Sequence, residues 1–248
     1  MKQIPNLFTL LNLVFGCIAI IYIFKNDGFL FTNAPGTFSM GLIIGGVYIF
    51  FAAVVDFLDG FVARLFNATS EMGAQLDSLA DAVTFGVAPG MIMYRLLQIA
   101  LVKSGMPADN IWLLLPALLI PCAGVWRLAR FNLDKEQTYY FKGVPIPAAG
   151  LVIASLPFVL NSDNNSQIAA YLYNPYVLYI ITGIVSFLMV SRIPLISLKF
   201  KNFSLKSNTD KFILLLIGLL AVIFLKWLAV PVMFAAYVLV SLIFRPNK

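Results

Sequence analysis

The sequence contains no histidine, and only 11% of its 248 residues are charged. The chain therefore lacks the side chain that most often transfers protons near neutral pH, and this role must fall to carboxylate, Lys, Tyr or Cys. A charged fraction far below the roughly 25% of soluble domains excludes an ordinary soluble protein. The two cysteines, Cys17 and Cys122, lie in apolar segments. We expect them to be small core residues without a disulfide.

Apolar residues make up 61% of the chain, and the mean hydropathy is +0.92. A membrane-spanning helix needs about 20 mostly apolar residues. This criterion predicts an all-α polytopic membrane bundle of about eight transmembrane helices. The chain is predicted to be a single domain, 1–248, with a core at 1–192 and two additional spans at 211–244. The predicted spans are 7–25, 39–66, 74–100, 110–131, 146–161, 173–192, 211–226 and 228–244.

The net charge of +6 is spread along the chain and forms no dense basic run that would indicate a nucleic-acid partner. Placing the N-terminus in the cytoplasm puts most of the 17 Lys and Arg residues in cytoplasmic segments. Because basic residues favour the cytoplasmic side, we expect both termini inside. The loop between the second and third spans then faces the cytoplasm, and the protein is expected in the cell (inner or cytoplasmic) membrane.

Four aspartates interrupt the second and third spans: Asp56, Asp59, Asp77 and Asp81. Each carboxylate costs roughly 2.5–3.5 kcal/mol at mid-membrane on insertion scales. Spacings of three and four residues place each pair on one helix face, and a short connection allows the pairs to converge. Converging carboxylates must be protonated or neutralised by cations. Oxygen ligands favour Mg²⁺, Ca²⁺ or Mn²⁺, although the acids could also form buried salt bridges or an ion path.

Small and phosphate-binding residues are interleaved with these acids. Gly60 and Ala63 leave room for a ligand to approach the backbone. Arg64 offers a bidentate fork for phosphate. Ser70 is expected near a helix start, where free N–H groups favour anions, and Gly73 keeps the face of the following acid open. The stretch therefore indicates a phosphate-bearing ligand.

The same residues form the pattern D-x2-D-G-x2-A-R-x8-G-x3-D-x3-D between positions 56 and 81. This pattern resembles that of the CDP-alcohol phosphatidyltransferase family. The resemblance implies transfer of a phosphatidyl group from a CDP-linked lipid to an alcohol, with release of CMP. It also implies two divalent cations, Mg²⁺ or Mn²⁺, held by Asp56, Asp59, Asp77 and Asp81. Asp81 would in addition be the base that takes the alcohol proton.

The resemblance extends to the nucleotide and to assembly. It implies that the CDP part of the lipid is held by residues of the acidic stretch and, as a weaker inference, by residues near the N-terminus. It also implies a homodimer, for which the sequence shows no interface. The residues expected to bind the CDP-lipid are Gly60, Ala63, Arg64, Ser70, Gly73, Asn6 and Thr9.

Three further stretches resemble the phosphatidylserine synthase branch of that family: PNLFTLLNLVFGCIAI from Pro5, RLARFNLD from Arg127 and FKGVPIPAAG from Phe141. They imply CDP-diacylglycerol and L-serine as substrates. Arg127 or Arg130 would hold the serine carboxylate, with Asn132 and Lys142 as further acceptor contacts.

Two questions stay open at the level of the sequence. Glycerol 3-phosphate and inositol phosphate are also acceptors that the same cations would suit. The basic residues could instead anchor helix ends at the cytoplasmic surface. In a different class of protein, the four acids would line the path of a cation transporter.

Overall fold

The computed structural model describes residues 4–25, 40–66, 70–134, 141–162, 166–196 and 209–243. Five of its helical stretches are long and apolar enough to cross a membrane, and two shorter helices are apolar as well. The predicted polytopic all-α fold is confirmed. The five long stretches are Pro5–Phe24, Met40–Leu65, Glu71–Lys103, Ile111–Leu133 and Phe212–Ile243, and the shorter helices are Ile146–Leu160 and Pro175–Val190.

Helices α1 (Ile4–Phe24) and α2 (Met40–Leu65) pack against each other over much of their length. Proline at the second position of α1 is compatible with a helix start, because the first-turn N–H groups need no partner within the helix. Gly45 allows α2 to approach α1, since a Cβ there would lie 3.1 Å from the carbonyl oxygen of Ala19. The pair brings the N-terminus of α1 beside the C-terminal end of α2.

The third stretch is the centre of the bundle, with 72% of its most apolar window buried. It comprises α3 (Glu71–Asp81), a π-helical turn (Ala82–Val87) and α4 (Ala88–Lys103). The π turn has a local cause, because the ring of a proline clashes with the carbonyl four residues earlier. Pro89 stands four residues after Phe85. The displaced carbonyl of Phe85 lies close to Gly150, where an added Cβ would approach its oxygen to 2.9 Å.

The fourth stretch begins at α5 (Ile111–Leu114), passes through a 3₁₀ turn (Leu115–Leu118) and continues as α6 (Leu119–Leu133). Asn110 caps its start by accepting a hydrogen bond from the backbone N–H of Trp112 at 3.0 Å. Helix α6 packs against the π turn and carries the RLARFN segment towards the end of the bundle where the acids lie.

Three shorter helices follow: α7 (Ile146–Leu160), α8 (Ser166–Leu172) and α9 (Pro175–Val190). Nearly all of α7 is buried, so it forms part of the core together with α4. Asn174 caps α9 by accepting from the backbone N–H of Tyr176 at 2.9 Å. Helices α7 and α9 occupy the positions of the fifth and sixth predicted spans, and α8 lies between those spans.

A two-residue antiparallel ladder joins the connections before α7 and after α9. Strand β1 (Phe141–Lys142) pairs with β2 (Pro194–Leu195). Gly143 follows with φ of +81°, and its N–H donates to the carbonyl of Ile193 at 3.0 Å. This turn closes the loop onto the C-terminal end of α9.

The last two helices are α10 (Thr209–Leu225) and α11 (Ala229–Ile243), which pack against each other across a 3₁₀ turn at Lys226–Leu228. The predicted division of this apolar segment into two spans near residue 227 is confirmed, and Lys226 adopts a φ of 49° at the break. Tyr237 donates its hydroxyl to the carbonyl of Ile196 at 3.0 Å. Ser241 accepts from the N–H of the same residue at 3.2 Å. Helix α11 therefore ends beside the β1–β2 ladder.

The expectation that the cysteines are core residues was wrong. Cys17 and Cys122 are both free and exposed on their helices. In a membrane bundle an apolar residue is stable on the outer face as well as inside, because lipid replaces water as the solvent. Apolar neighbours in the sequence therefore do not indicate on which side of the helix a residue lies.

Gly143→Ala is expected to lower the free energy of unfolding by about 2 kcal/mol or more. The left-handed backbone disfavours a Cβ, and the added atom would lie 2.6 Å from the carbonyl oxygen of Ser191. Thermal unfolding in detergent measures the change. The control is Gly183→Ala in α9, where a Cβ meets nothing within 4 Å. The control should be neutral or stabilising by up to about 1 kcal/mol, and equal stability of the two variants would contradict the prediction.

Candidate active site

Three of the four predicted aspartates meet at one point. Asp56 and Asp59 project from the C-terminal half of α2, and Asp77 projects from α3. One carboxylate oxygen of each residue lies within 4.8 Å of the others. The short connection between α2 and α3 thus brings the two pairs together, as the helical spacing indicated.

Asp81 lies one turn further along α3, outside this group of three. It is 7% exposed, and its carboxylate interacts electrostatically with the other three aspartates. Its Oδ1 atom is buried without a hydrogen-bond partner among the described residues. A buried carboxylate oxygen without a partner is costly, so this atom is expected to gain a partner when the site is occupied.

Helix α1 is bonded directly to the acidic cluster. Thr9 donates its hydroxyl to Oδ2 of Asp59 at 2.8 Å, and both side chains are buried. A hydrogen bond to an ionised acceptor contributes about 1.5–3 kcal/mol, more than a neutral one. The bond therefore fixes one carboxylate orientation and couples the N-terminal helix to the acids.

A cavity of about 180 Å³ opens beside the cluster. Its wall includes six of the seven residues that the sequence assigned to the CDP-lipid, and Arg64 is not among them. Arg64 stands in the last turn of α2 with its side chain exposed. The lining residues are Pro5, Asn6, Thr9, Asp59, Gly60, Ala63, Ser70, Gly73, Ala74 and Asp77.

Two glycines in this wall differ in what surrounds them. A Cβ at Gly60 would meet no protein atom within 4 Å, so this glycine leaves open space beside the acids. A Cβ at Gly73 would lie 3.1 Å from Oδ1 of Asn6 and 3.1 Å from Oγ of Ser70. Gly73 therefore allows α1 and the start of α3 to approach each other.

Helix α3 begins inside the cavity wall. Ser70 is its N-cap and accepts a hydrogen bond from the backbone N–H of Gly73 at 3.0 Å. The other first-turn N–H groups point towards the cavity end of the helix, which favours anionic groups there. A phosphate-bearing ligand in the cavity would thus meet a helix N-terminus and carboxylates on adjacent walls.

Arg127 is the only predicted acceptor residue with a buried guanidinium among those whose side chains the structure describes. It is 7% exposed and lies 4.9 Å from the ring of Phe131 on the same helix. It interacts electrostatically with Asp81 and with Tyr237 of α11. Tyr237 was missed in the sequence, because a single tyrosine in an apolar span carries no motif.

Arg130 and Asn132 make contacts within the protein. Arg130 donates through Nη1 to the carbonyl of Val190 at 2.6 Å, at the C-terminus of α9. Asn132 donates through Nδ2 to Oγ of Ser78 at 2.9 Å, on the helix of the acids. The structure therefore does not gather the four predicted acceptor residues into one group. Lys142 lies in β1, and its side chain is outside the described residues.

The donor set fits a hard divalent cation. Oxygens on opposite sides of one ion lie about 4.2 Å apart for Mg²⁺ and roughly 4.6–5.2 Å apart for Ca²⁺. The carboxylate oxygens of Asp56, Asp59 and Asp77 lie within 4.8 Å of one another, which is comparable to these oxygen–oxygen distances. Asp81, one turn further along α3, adds a fourth buried carboxylate beside this group. The cluster can therefore hold a metal ion with little rearrangement.

Comparison with known proteins assigns the chain to a family. A sequence profile of the CDP-alcohol phosphatidyltransferase family matches residues 2–200. The chain belongs to this family. The match includes the acidic cluster, the cavity wall and helices up to α9, whereas α10 and α11 lie beyond it. The family expected from the aspartate pattern is thus confirmed.

The chain is also similar to individual curated proteins named CDP-diacylglycerol–serine O-phosphatidyltransferase. The protein of Bacillus subtilis (strain 168) is 35% identical over 193 residues, which cover 78% of this chain and 89% of that protein. The protein of Helicobacter pylori (strain ATCC 700392 / 26695) is 31% identical over 262 residues, which cover 98% of this chain and 95% of that protein. The protein of Methanocaldococcus jannaschii is 31% identical over 169 residues, with 68% and 67% coverage.

Asp56→Asn is expected to stabilise the protein when divalent cations are removed with EDTA. Charges about 5 Å apart repel by on the order of 1–3 kcal/mol at an effective dielectric constant of about 20, and the substitution removes one of them. Thermal unfolding in detergent with EDTA measures the effect. Asp109→Asn, in an exposed turn before α5, is the control and should change nothing. A lower unfolding temperature for Asp56→Asn would show that attraction, not repulsion, dominates the cluster.

Proposed function

We propose that the protein transfers the phosphatidyl group of CDP-diacylglycerol to the hydroxyl of L-serine, forming phosphatidylserine and CMP. The observation that carries the proposal is the convergence of the family's aspartates beside a cavity lined by the residues assigned to the CDP-lipid. The names of relatives that are 31–35% identical support serine as the acceptor. The cavity alone does not distinguish serine from other alcohols.

The nucleotide end of the donor occupies the cavity. Asn6, Thr9, Ser70 and the backbone at Gly60 are within reach of a bound CDP group, because they line its wall. The open space at Gly60 admits the flat base or the ribose next to the backbone. The N-terminus of α3 faces the diphosphate, and the exposed Arg64 reaches towards it from the last turn of α2.

Asp56, Asp59, Asp77 and Asp81 would hold two divalent cations, Mg²⁺ or Mn²⁺, with the group of three as the better-defined part of the site. Such cations would neutralise the negative charge of the diphosphate and of the departing CMP. Thr9 keeps Asp59 in place through its 2.8 Å hydrogen bond. Support of this kind is worth about 10–100-fold in metal affinity in characterised sites.

Asp81 takes the proton of the serine hydroxyl. The hydroxyl oxygen then forms a bond to the β-phosphorus of CDP-diacylglycerol, and the bond between this phosphorus and the oxygen bridging to CMP breaks. The bridging oxygen leaves with CMP, and the proton remains on the carboxylate until solvent takes it. This assignment requires no histidine and no covalent intermediate. Holding the reactants in line supplies much of the rate.

Arg127 holds the carboxylate of serine. Its guanidinium is buried near Asp81. A bound serine would therefore place its carboxylate close to Arg127 and its hydroxyl close to Asp81. Arg130 and Asn132 act indirectly by fixing α6 to α9 and to α3. Lys142 remains a proposed contact at the mouth. Glycerol 3-phosphate or inositol phosphate as acceptor would use the same cations.

The site is proposed to face the cytoplasm in the cell membrane. Three parts of the chain meet at the site: the N-terminal turn of α1, the residues that join α2 to α3, and the end of α6. The end of α6 is bonded to the end of α9, and the end of α11 is bonded to the residue that follows the β1–β2 ladder. The start of α1 and the end of α11 therefore lie at the same end of the bundle as Arg64, Arg127 and Arg130, and basic residues favour the cytoplasmic side. We further propose that the protein is a homodimer, as the family resemblance implies.

The decisive experiment measures CMP release from CDP-diacylglycerol by the purified protein in detergent with Mn²⁺ or Mg²⁺. Serine, glycerol 3-phosphate, inositol phosphate and no acceptor are compared, and the lipid product is identified by mass spectrometry. Serine-dependent release with phosphatidylserine as product supports the proposal. Release with another acceptor rejects serine and keeps the chemistry. No release with any acceptor, together with cation flux in vesicles, favours the transporter.

Asp81→Asn is expected to lower kcat by at least about 1,000-fold while leaving CDP-diacylglycerol binding measurable. Asparagine has nearly the same shape as aspartate but cannot accept the proton, and base catalysis contributes about 10²–10⁴-fold. Turnover and equilibrium binding of the labelled donor are measured on the same preparation. Asp109→Asn serves as the matched control. Retained turnover in Asp81→Asn would remove this residue as the base.

Arg127→Gln and Arg130→Gln should differ in what they impair. Arg127→Gln is expected to raise the KM for serine by about tenfold or more, because a charge-assisted contact is worth about 1.5–3 kcal/mol. Arg130→Gln should mainly lower the unfolding temperature, since it loses the bond to Val190. Steady-state kinetics and thermal unfolding separate the two effects. The reverse pattern would place the serine carboxylate at Arg130.

A further inference from the structure

Asn12 is buried completely, and neither polar atom of its side chain has a hydrogen-bond partner among the described residues. An amide side chain both donates and accepts hydrogen bonds. Leaving a buried polar group unpaired costs about 1–3 kcal/mol. A group of this kind needs an explanation, and a role in binding or catalysis is one of the few.

The neighbours of Asn12 place it beside the acids. Thr9, one turn earlier on α1, donates to Asp59. The carbonyl of Asn12 itself accepts from the hydroxyl of Thr84 at 3.2 Å. Gly16, one turn later, contacts Thr84, so closely that a Cβ there would overlap its side chain. One face of α1 therefore lies first against the acidic cluster and then against the π turn.

Asp81 occupies the matching level on the other helix. Asp77 is within 4.8 Å of Asp59 and hence near the level of Thr9, whereas Thr84 contacts Asn12 and Gly16. Asp81 lies between Asp77 and Thr84, one helical turn from each. Helices α1 and α3 therefore run side by side in the same direction, with Asn12 across from Asp81.

Two unsatisfied groups of complementary chemistry thus lie at one level. Asp81 has a buried Oδ1 that can only accept when ionised, and Asn12 has a buried Nδ2 that can only donate. Asn12 and Asp81 lie about one helical turn further into the bundle than Thr9 and Asp77, which line the cavity, and neither is part of the cavity wall. Neither orphan atom is explained by a structural contact among the described residues.

We propose that Asn12 is a positioning residue for Asp81. Its Nδ2 donates to Oδ1 of Asp81, directly or through one bound water, when the substrates are in place. The bond holds the carboxylate in the orientation in which its other oxygen takes the proton of the acceptor hydroxyl. The inference rests on the proposed function, because it assigns Asn12 to the base of that reaction.

A structural role and a positioning role of Asn12 predict opposite results for Asn12→Leu. Leucine has a similar size and removes two unsatisfied polar atoms, so the protein should be as stable as the wild type or more stable. If Asn12 only fills space, activity should remain as well. If Asn12 orients the base, kcat should fall although the fold is intact.

The test measures four quantities for Asn12→Leu in detergent: the unfolding temperature, the affinity for CDP-diacylglycerol, the KM for serine and kcat. We expect an unchanged or raised unfolding temperature, unchanged donor affinity, a KM within about threefold, and a kcat at least tenfold lower. Asn12→Ala is the second variant, with the same expected loss of kcat if leucine does not fit. Wild-type kcat in either folded variant overturns the proposal, as does a kcat loss matched by lost donor affinity.

Ser186→Ala is the matched control, because Ser186 on α9 is also buried and its hydroxyl has no hydrogen-bond partner in the part of the chain that the structure describes. It should resemble Asn12→Leu in stability and the wild type in kcat. An equal loss of kcat in the control would overturn the proposal, since relief of any buried polar group would then impair turnover. Failure of the proposed function is distinguishable, because the wild type would then form no phosphatidylserine.

Discussion

Mutual repulsion of carboxylates in an apolar bundle is the constraint on which the rest of the structure depends. Asp56, Asp59 and Asp77 lie within 4.8 Å of one another, and Asp81 is buried beside them. In a medium of low dielectric constant such a group is costly unless cations or protons neutralise it. The hydrogen bond from Thr9 offsets part of this cost by stabilising the ionised form of Asp59 in one orientation. The free N–H groups at the start of α3 favour an anionic group beside the acids, and such a group attracts the cations that neutralise the cluster.

Hydrogen bonds link the elements around the candidate site to one another at one end of the bundle. Helix α3 is linked to α6 through Asn132 and Ser78, and α6 is linked to α9 through Arg130. The β1–β2 ladder then joins α11, whose Tyr237 lies near the buried Arg127. Helices α10 and α11 are outside the part of the chain that the family profile matches, yet one of them lies beside the candidate acceptor residue.

The aspartate site was predictable from the sequence because helical spacing is strict: residues three and four apart share a face wherever the helix lies. The helices themselves were predictable from length and apolar composition. Which face of each helix packs inside the bundle was not predictable from the sequence. Lipid accepts apolar residues all around a spanning helix, so the amphipathic pattern that marks a buried face in soluble proteins is absent. For this reason the exposed Cys17 and Cys122 were assigned wrongly. The hydrogen bond from Arg130 to Val190 and the buried amide of Asn12 depend on which side of each helix faces the bundle, and no motif near these residues indicates that side.

The π turn after Asp81 has a consequence for how the central helix can change during evolution. A π turn holds one residue more than the α-helical turn it replaces, and each residue in an α-helix rotates the chain by about 100°. Residues before Ala82 and after Val87 are therefore out of phase with each other by about that angle. A single deletion within the turn would restore a regular helix, but it could not keep both the aspartates on the site and the existing face of α4 in the core. Insertions and deletions should accordingly be rarer here than point substitutions.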